Sequence, residues 1–472
     1  MFLLLFSSPT LASHYAGAIR TDLTDHWVGY LSLCLFVLAL LLVSLEEFIG
    51  LRKSKPIVLC AGLIWVLIAW HAGQTGTSEA AAEAVRHNLL QYAELMLLML
   101  VVMTYINAMD ERGVFRVLQV WTAGRALSYR QLFWLSGISC FLISPFLDNL
   151  STALLIGMVV ISIGSREPRF IALGCLNVVI AANAGGVFSP FGDITTLMVW
   201  QQDIHSTTEA VGFASFFSLV LPALVNWLVP ATIIHFAVPD RPIAAAMDQV
   251  TLRRGGYTII LLFLATIATA VAFQGLLRLP GVIGMLTGLA YLQFFGYYLK
   301  VTHSARETGV PDEEQLGIPP SAEGHRPFDV FSRLARSEWD TLLFLYGVAL
   351  SVGGLGYLGY LSLASELMYG QWGPTLTNTA VGLASSVLEN IPAMYAVLAM
   401  SPEMSQGEWL LVTLSTGVGG SLLSIGSAAG VALMGQARGS YTFFSHLRWT
   451  PVILLGYFGS VMVHLLLNSS RF

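Results

Sequence analysis

Charge is what this chain has least of. Asp, Glu, Lys and Arg together make up 11% of its 472 residues, against 55% apolar residues, and a soluble globule of that size could not cover itself with so little polar surface. A soluble fold is excluded, and the chain reads as an integral protein of the lipid bilayer. The net charge of -5 is scattered over short loops, so it gives no sign of nucleic acid or of acidic partners. Cysteine is scarce too. Cys34, Cys60, Cys140 and Cys175 all fall in apolar stretches without CxxC spacing, which argues against a disulfide scaffold or a metal centre and leaves small buried packing residues. No nucleophile–base pair or metal-binding cluster stands out, so a membrane enzyme is the poorest reading and no cofactor is expected. Met1 to Ala12 are apolar but short and lack a basic start, which fits either a degenerate signal peptide or a trimmed first segment.

A bilayer core of roughly 30 Å takes about 20 apolar helical residues. Ten stretches can span, centred on 27–45, 57–71, 89–109, 170–201, 213–238, 257–275, 281–299, 340–360, 409–434 and 449–468. Two further apolar regions, 131–163 and 374–400, are each split by polar residues and proline. Their arms of about 14 residues reach only about 21 Å as helix, so both read as re-entrant hairpins with tips at mid-membrane depth.

Sidedness follows from the bases. With the N-terminus outside, 19 of the 23 Lys and Arg fall in inner loops, leaving Arg20, Arg86, Arg278 and Arg471 outside, a strong positive-inside bias. Arg130 and Arg166 flank the first hairpin, which therefore enters from the cytoplasm. Glu366, Glu403 and Glu408 flank the second, which enters from outside. The expected fold is an all-α polytopic membrane protein of two inverted repeats, each with five transmembrane helices, one re-entrant hairpin and a broken helix at the centre. After an N-terminal segment 1–26, repeat 1 covers 27–238 (hairpin 131–163, broken helix 170–201). A cytoplasmic linker follows at 239–256. Repeat 2 covers 257–468, with a cytoplasmic loop 300–339, the hairpin 374–400 and a broken helix 409–434.

Acidic-Asn pairs mark both tips, Asp148-Asn149 and Glu389-Asn390, and each is followed by a Gly-Gly-x5-Gly frame, Gly185-Gly186 to Gly192 and Gly419-Gly420 to Gly426. Carboxylates and helix-breaking glycines are costly in a bilayer unless they line a site or a water-filled path. Aligned on the glycines, Asp193 answers to Ser427, so the first half carries the stronger ion site. A small hard cation suits the oxygen set: Asp148 and Asp193 for charge, with Asn149, Ser151, Asn183, Thr195, Thr196, Asn390, Ser424 and Ser427 for neutral oxygens, and with Thr152 and Glu389 beside them at the hairpin tips. Proton and cation would compete for the same carboxylate, which is sufficient for antiport. Glu94 in the third crossing, with His87 and His205 at outer helix ends, offers an accessory proton path or pH sensing. His71, His235 and His464 read as interfacial. Gly354-x-Gly356-x-x-Gly359 fits a dinucleotide fingerprint but ends a membrane helix with no strand before it, so it reads as helix packing.

The strings Phe146-Leu147-Asp148-Asn149-Leu150-Ser151-Thr152, Gly186-Val187-Phe188-Ser189-Pro190-Phe191-Gly192-Asp193-Ile194-Thr195-Thr196 and Glu389-Asn390-Ile391-Pro392-Ala393-Met394-Tyr395 resemble the NhaD-type sodium/proton antiporters of bacteria, in the ion transporter superfamily. The likeness runs over nearly the whole chain beyond the first 25 or so residues. It implies export of Na⁺ or Li⁺ in exchange for H⁺, most active at alkaline pH, in the bacterial inner membrane, with Na⁺ or Li⁺ held at Asp148, Asn149, Asp193 and Asn390. It also implies a moving transport domain carried elevator-fashion against a homodimeric scaffold. The resemblance adds Ser385 to the site residues of the second half. Glu389 departs from the Asp expected at the second tip, and its longer side chain either ligates the ion or only supports the tip. Within the same superfamily the competing readings are a Na⁺-coupled dicarboxylate symporter and an arsenite efflux carrier, but two acidic tips would repel a dicarboxylate. A channel, the competitor from another class, would pass ions without exchanging protons.

Overall fold

The computed structural model describes residues 22–117, 120, 128–243, 252–307, 338–437 and 439–472. The N-terminal segment up to residue 21, the linker residues 244–251 and most of the loop 300–339 lie outside the described residues.

Backbone groups inside a bilayer must pair within their own segment or a closed sheet, and the described apolar runs are all helical. In chain order the long elements are α1 (Trp27–Ser44), α2 (Ser54–Thr75), α3 (Ser78–Glu111), α4 (Tyr129–Ile143), α5 (Asn149–Ile163), α6 (Pro168–Gly186), α7 (Ile194–Gln201) and α8 (Val220–His235). There follow α9 (Gly256–Leu277), α10 (Gly281–Glu307), α11 (Trp339–Tyr357), α12 (Pro374–Leu388), α13 (Asn390–Met400), α14 (Gln406–Gly419), α15 (Ala428–Ala437) and α16 (Thr450–Leu467). Among the described residues, 9 helices are long and apolar enough to cross a membrane, so the chain is a polytopic helical membrane protein. The tenth expected crossing, 409–434, is cut into α14 and α15, of 14 and 10 residues, and neither piece is long enough. The third crossing is the later part of a 34-residue helix, α3, whose polar first turns hide its true start.

Two details differ from expectation. Cys34 is exposed on α1, whereas Cys60, Cys140 and Cys175 are buried, and all four are free thiols. His464 is fully buried rather than interfacial, its Nε2 lying 2.9 Å from the Gly407 carbonyl oxygen, a partner far away in sequence. The Gly354-x-Gly356-x-x-Gly359 string is helix packing: a Cβ on Gly354 would lie 2.6 Å from Ile64 Cγ2, and one on Gly353 would lie 2.4 Å from the Asn88 amide.

Cα proximity divides the chain into two compact units. In Ala93–Arg125 with Ala244–Trp339, small residues let α9 and α10 pack closely. A Cβ on Gly284 would meet the Ala270 backbone at 2.5 Å and one on Gly288 would meet Thr266 at 2.0 Å, while Tyr105 Oη donates to the Gly288 carbonyl at 2.7 Å.

The other unit comprises Met1–Tyr92, Ala126–Ile243 and Asp340–Phe472 and holds both tips and both glycine frames. Helices α4 and α5 meet at the tip Ser144–Asp148, and α12 and α13 meet at Glu389. The breaks lie between α6 and α7 and between α14 and α15. A Cβ on Gly192 would sit 2.6 Å from the Gly186 carbonyl oxygen, and one on Gly426 would sit 2.9 Å from that of Gly420. Gly185 is pressed on the Phe141 carbonyl as Gly419 is on that of Gly382, at 2.6 and 2.0 Å from their notional Cβ atoms. Ser144 Oγ donates to the Ala182 carbonyl at 2.6 Å, and Ser385 Oγ to the Thr416 carbonyl at 3.0 Å. One interval of 241 residues separates Phe141 from Gly382, Ser144 from Ser385 and Asp148 from Glu389, and one of 234 separates Ala182 from Thr416 and Gly185 from Gly419. The same local contacts therefore recur at corresponding places in the two halves.

Candidate ion-binding site

Gly186 ends α6 where its backbone crosses that of Gly192, and the chain resumes as α7 with Asp193 as N-cap. Asp is favoured there because its carboxylate accepts from backbone N–H groups left open at a helix start; Thr195 N donates to Asp193 Oδ1 at 3.0 Å. Two amides close on the other side. Asn149 Nδ2, at the start of α5, lies 3.1 Å from Asp193 Oδ2, and Asn390 Nδ2, at the start of α13, lies 3.1 Å from Oδ2 and 3.4 Å from Oδ1. The tips of both halves thus converge on one carboxylate.

Behind it, Asn183 Oδ1 accepts from Asn149 Nδ2 at 3.0 Å, and Asn183 Nδ2 donates to Ser421 Oγ at 2.9 Å and to Ser427 Oγ at 3.1 Å. Helix α14 passes alongside, where a Cβ on Gly417 would lie 3.7 Å from Asp193 Oδ2. Asp193 is 3% exposed and Asn183, Ser421 and Ser427 are fully buried. Every hydrogen-bond donor on the Asp193 carboxylate is neutral, and among the described residues no base pairs with it. A carboxylate charge taken out of water without a counter-charge costs roughly several kcal/mol, a cost that a proton or a bound cation would offset.

Of the residues expected to form the site, the structure brings Asn149, Asn183, Asp193, Asn390 and Ser427 into this one network. Thr195 contributes its backbone N–H, and Thr196 Oγ1 donates to the Gly186 carbonyl at 3.4 Å, stitching the break. The Ser424 hydroxyl is fully buried and has no hydrogen-bond partner among the described residues. Ser385 serves the α12–α14 packing described above.

Asp148 is half-buried and engaged locally: it caps α5, accepting from Ser151 N at 2.8 Å and Ser151 Oγ at 2.7 Å, while Thr152 Oγ1 donates to the Leu147 carbonyl at 3.3 Å. Glu389 does not share in the network as expected. Its two oxygens accept from Lys53 Nζ at 3.2 and 3.4 Å, because the longer side chain reaches past the tip to a base 336 residues away in sequence. His87 lies exposed on α3 and His205 exposed in the loop after α7, where it bridges to Ala210. Glu94 is half-buried on α3, in the other compact unit. Sequence reasoning missed Ser421 as a member of the network, although it stands inside the second glycine frame.

A family model described as citrate transporter (CitMHS) matches residues 34–417. The Na⁺/H⁺ antiporter NhaD of Alkalimonas amylolytica is 53% identical over 99% of this chain and 96% of its own length. That of Vibrio cholerae is 53% identical over 100% of this chain and 98% of its own. The chain belongs to the NhaD family of sodium/proton antiporters. With them it is a secondary transporter rather than an enzyme, and a multi-pass protein of the bacterial inner membrane. More distantly, sodium/proton antiporter 1 of Arabidopsis thaliana is 27% identical over 91% of this chain and 71% of its own length.

Proposed function

We propose that this chain exports Na⁺ in exchange for H⁺ by alternating the two ions on the Asp193 carboxylate. The observation that carries this reading is a buried carboxylate ringed by neutral donors, with no base paired to it among the described residues. A proton or a small cation can each restore neutrality, and the two exclude one another. Asn149 and Asn390 turn their amide nitrogens to the carboxylate here; a half-turn of either amide would aim its oxygen at a cation between them. Hydroxyls of Thr195, Ser421, Ser424 and Ser427 are further oxygens within the same module, and Li⁺, with the same charge and preference for oxygen, suits the set.

The recurring contacts of the two glycine frames support two structural repeats. The bias of Lys and Arg supports their inverted insertion, with the Ser144–Asp148 tip entering from the cytoplasm and the Glu389 tip from outside. Movement of this module elevator-fashion against a homodimeric scaffold is the form of alternating access in keeping with the family resemblance. Transport of a polycarboxylate, the activity in the matching family model's description, would set like charges together around Asp193, and the neutral donors would have to overcome that repulsion in a poorly solvated pocket.

The test uses everted membrane vesicles holding an imposed pH gradient read by a dye, with Na⁺, Li⁺, K⁺, citrate or arsenite added. Na⁺ and Li⁺ are expected to dissipate the gradient and K⁺ to leave it standing. Uptake of citrate, with no gradient loss on Na⁺ addition, would sink the proposal.

A further inference from the structure

The second tip carries a device that the first does not. Asp148 uses its carboxylate oxygens on the N-terminus of its own helix. Glu389, at the matching position, makes no side-chain cap for α13. Instead it forms an ion pair with Lys53, in which both side chains are less than a tenth exposed. Lys53 Nζ also lies 4.7 Å from the centre of the Phe344 ring on α11, a favourable place for a cation. Nearby, Ser44 at the end of α1 donates to the Val387 carbonyl at 3.0 Å. The tip is thus tied at two points to the segment joining α1 and α2. Glu389 itself has φ 63° and ψ 155°, a backbone conformation that is strained for any residue with a side chain and that persists only where the surroundings enforce it. The next residue is Asn390, whose amide reaches both oxygens of Asp193.

We propose that the Lys53–Glu389 ion pair is a positioning device for the ion site. It holds the second tip in its strained turn, and by doing so presents Asn390 to Asp193. Lys53 acts through Glu389 and the tip, touching neither the carboxylate nor its ion. The inference rests on Asp193 being the exchange site. A buried pair replaced at one end only leaves an unneutralised charge behind, so loss of protein and loss of positioning must be read separately.

The experiment measures Na⁺ half-saturation and maximal rate in everted vesicles, with the amount of full-length protein in the membrane quantified for each variant. Lys53→Gln and Glu389→Gln are expected to raise half-saturation about tenfold, with a smaller effect on maximal rate per molecule. Lys53→Arg retains most of the affinity, and the reversed pair K53E/E389K recovers most of what either single change loses. Should the single variants fail to accumulate, K53Q/E389Q decides, because it removes both charges together, leaves neither unneutralised and keeps the strained turn; it is expected to accumulate and still bind Na⁺ about tenfold more weakly. Wild-type half-saturation in K53Q or in K53Q/E389Q, or a reversed pair no better than the single changes, overturns the inference. Asp193→Asn is run alongside: exchange that survives it removes the Asp193 reading itself, whereas dead D193N beside normal K53Q removes only the positioning role.

Discussion

At the residue scale the central fact is one buried carboxylate, Asp193, whose hydrogen bonds come from a backbone N–H and two amides. Asparagine keeps the shape and the cap acceptor of aspartate but never ionises, so Asp193→Asn is expected to abolish Na⁺-dependent proton movement while the protein remains in the membrane at wild-type amount. A reduced but measurable exchange rate would remove Asp193 from the centre. Ser421 makes a finer test. Its hydroxyl, with that of Ser427, accepts from Asn183, which in turn orients Asn149 toward the carboxylate. Ser421→Ala leaves one of two acceptors and should weaken Na⁺ binding by about 1 kcal/mol, roughly fivefold in half-saturation; an unchanged value would show that Ser427 alone holds Asn183. Asp193, Asn149 and Asn390 were legible in the sequence because polar residues inside a long apolar run need a reason to be there. The partnership of Glu389 with Lys53 was not, because 336 residues separate them and no local pattern encodes a contact made by the fold. Nor did Ser421 stand out, since a serine in a glycine-rich turn is also an ordinary turn residue.

At the scale of elements, the breaks α6–α7 and α14–α15 depend on backbone approaching backbone. Gly192 and Gly426 have no room for a methyl group, with carbonyl oxygens 2.6 Å from either notional Cβ, and rigid main chain cannot yield as a side-chain end can. Gly192→Ala and Gly426→Ala are each expected to lower stability by about 1–3 kcal/mol, seen as a fall in the unfolding temperature of the purified protein. Gly212→Ala, where nothing lies within 4 Å of the added carbon, serves as the control and should unfold as the parent does. A fall in G212A equal to that in G192A would remove the packing argument. The sequence announced these breaks through the spacing of their glycines, and the hairpin arms through prolines and polar residues. The tenth crossing is absent from the uninterrupted helices for the reason those glycines give: between Gly419 and Ala428 the helix stops and restarts.

At the scale of the whole molecule, the proposed exchange rests on one carboxylate serving two ions, and such sharing has a measurable signature in pH. While most Asp193 groups carry a proton, Na⁺ binds only by displacing it, so each unit fall in pH should raise the Na⁺ half-saturation about tenfold. Once pH exceeds the group's own titration point, no proton remains to be displaced and half-saturation becomes flat. The affinity for Na⁺ therefore improves as pH rises and then levels, whereas the supply of protons for the return step shrinks, so the turnover rate passes through a maximum. A second carboxylate that also had to lose its proton would steepen the acidic limb toward about a hundredfold per unit. Among the described residues Asp148 is the only other acid at the tips without a base, and its carboxylate oxygens are engaged with Ser151 at the start of its own helix rather than with Asn149, Asn390 or Asp193. We accordingly expect the single-proton slope. Half-saturation for Na⁺, measured in everted vesicles at a series of clamped pH values, decides among the cases. A limb near a hundredfold per unit would bring Asp148 into the exchange, and a half-saturation independent of pH would mean that proton and Na⁺ bind at separate places, which a single shared carboxylate cannot produce.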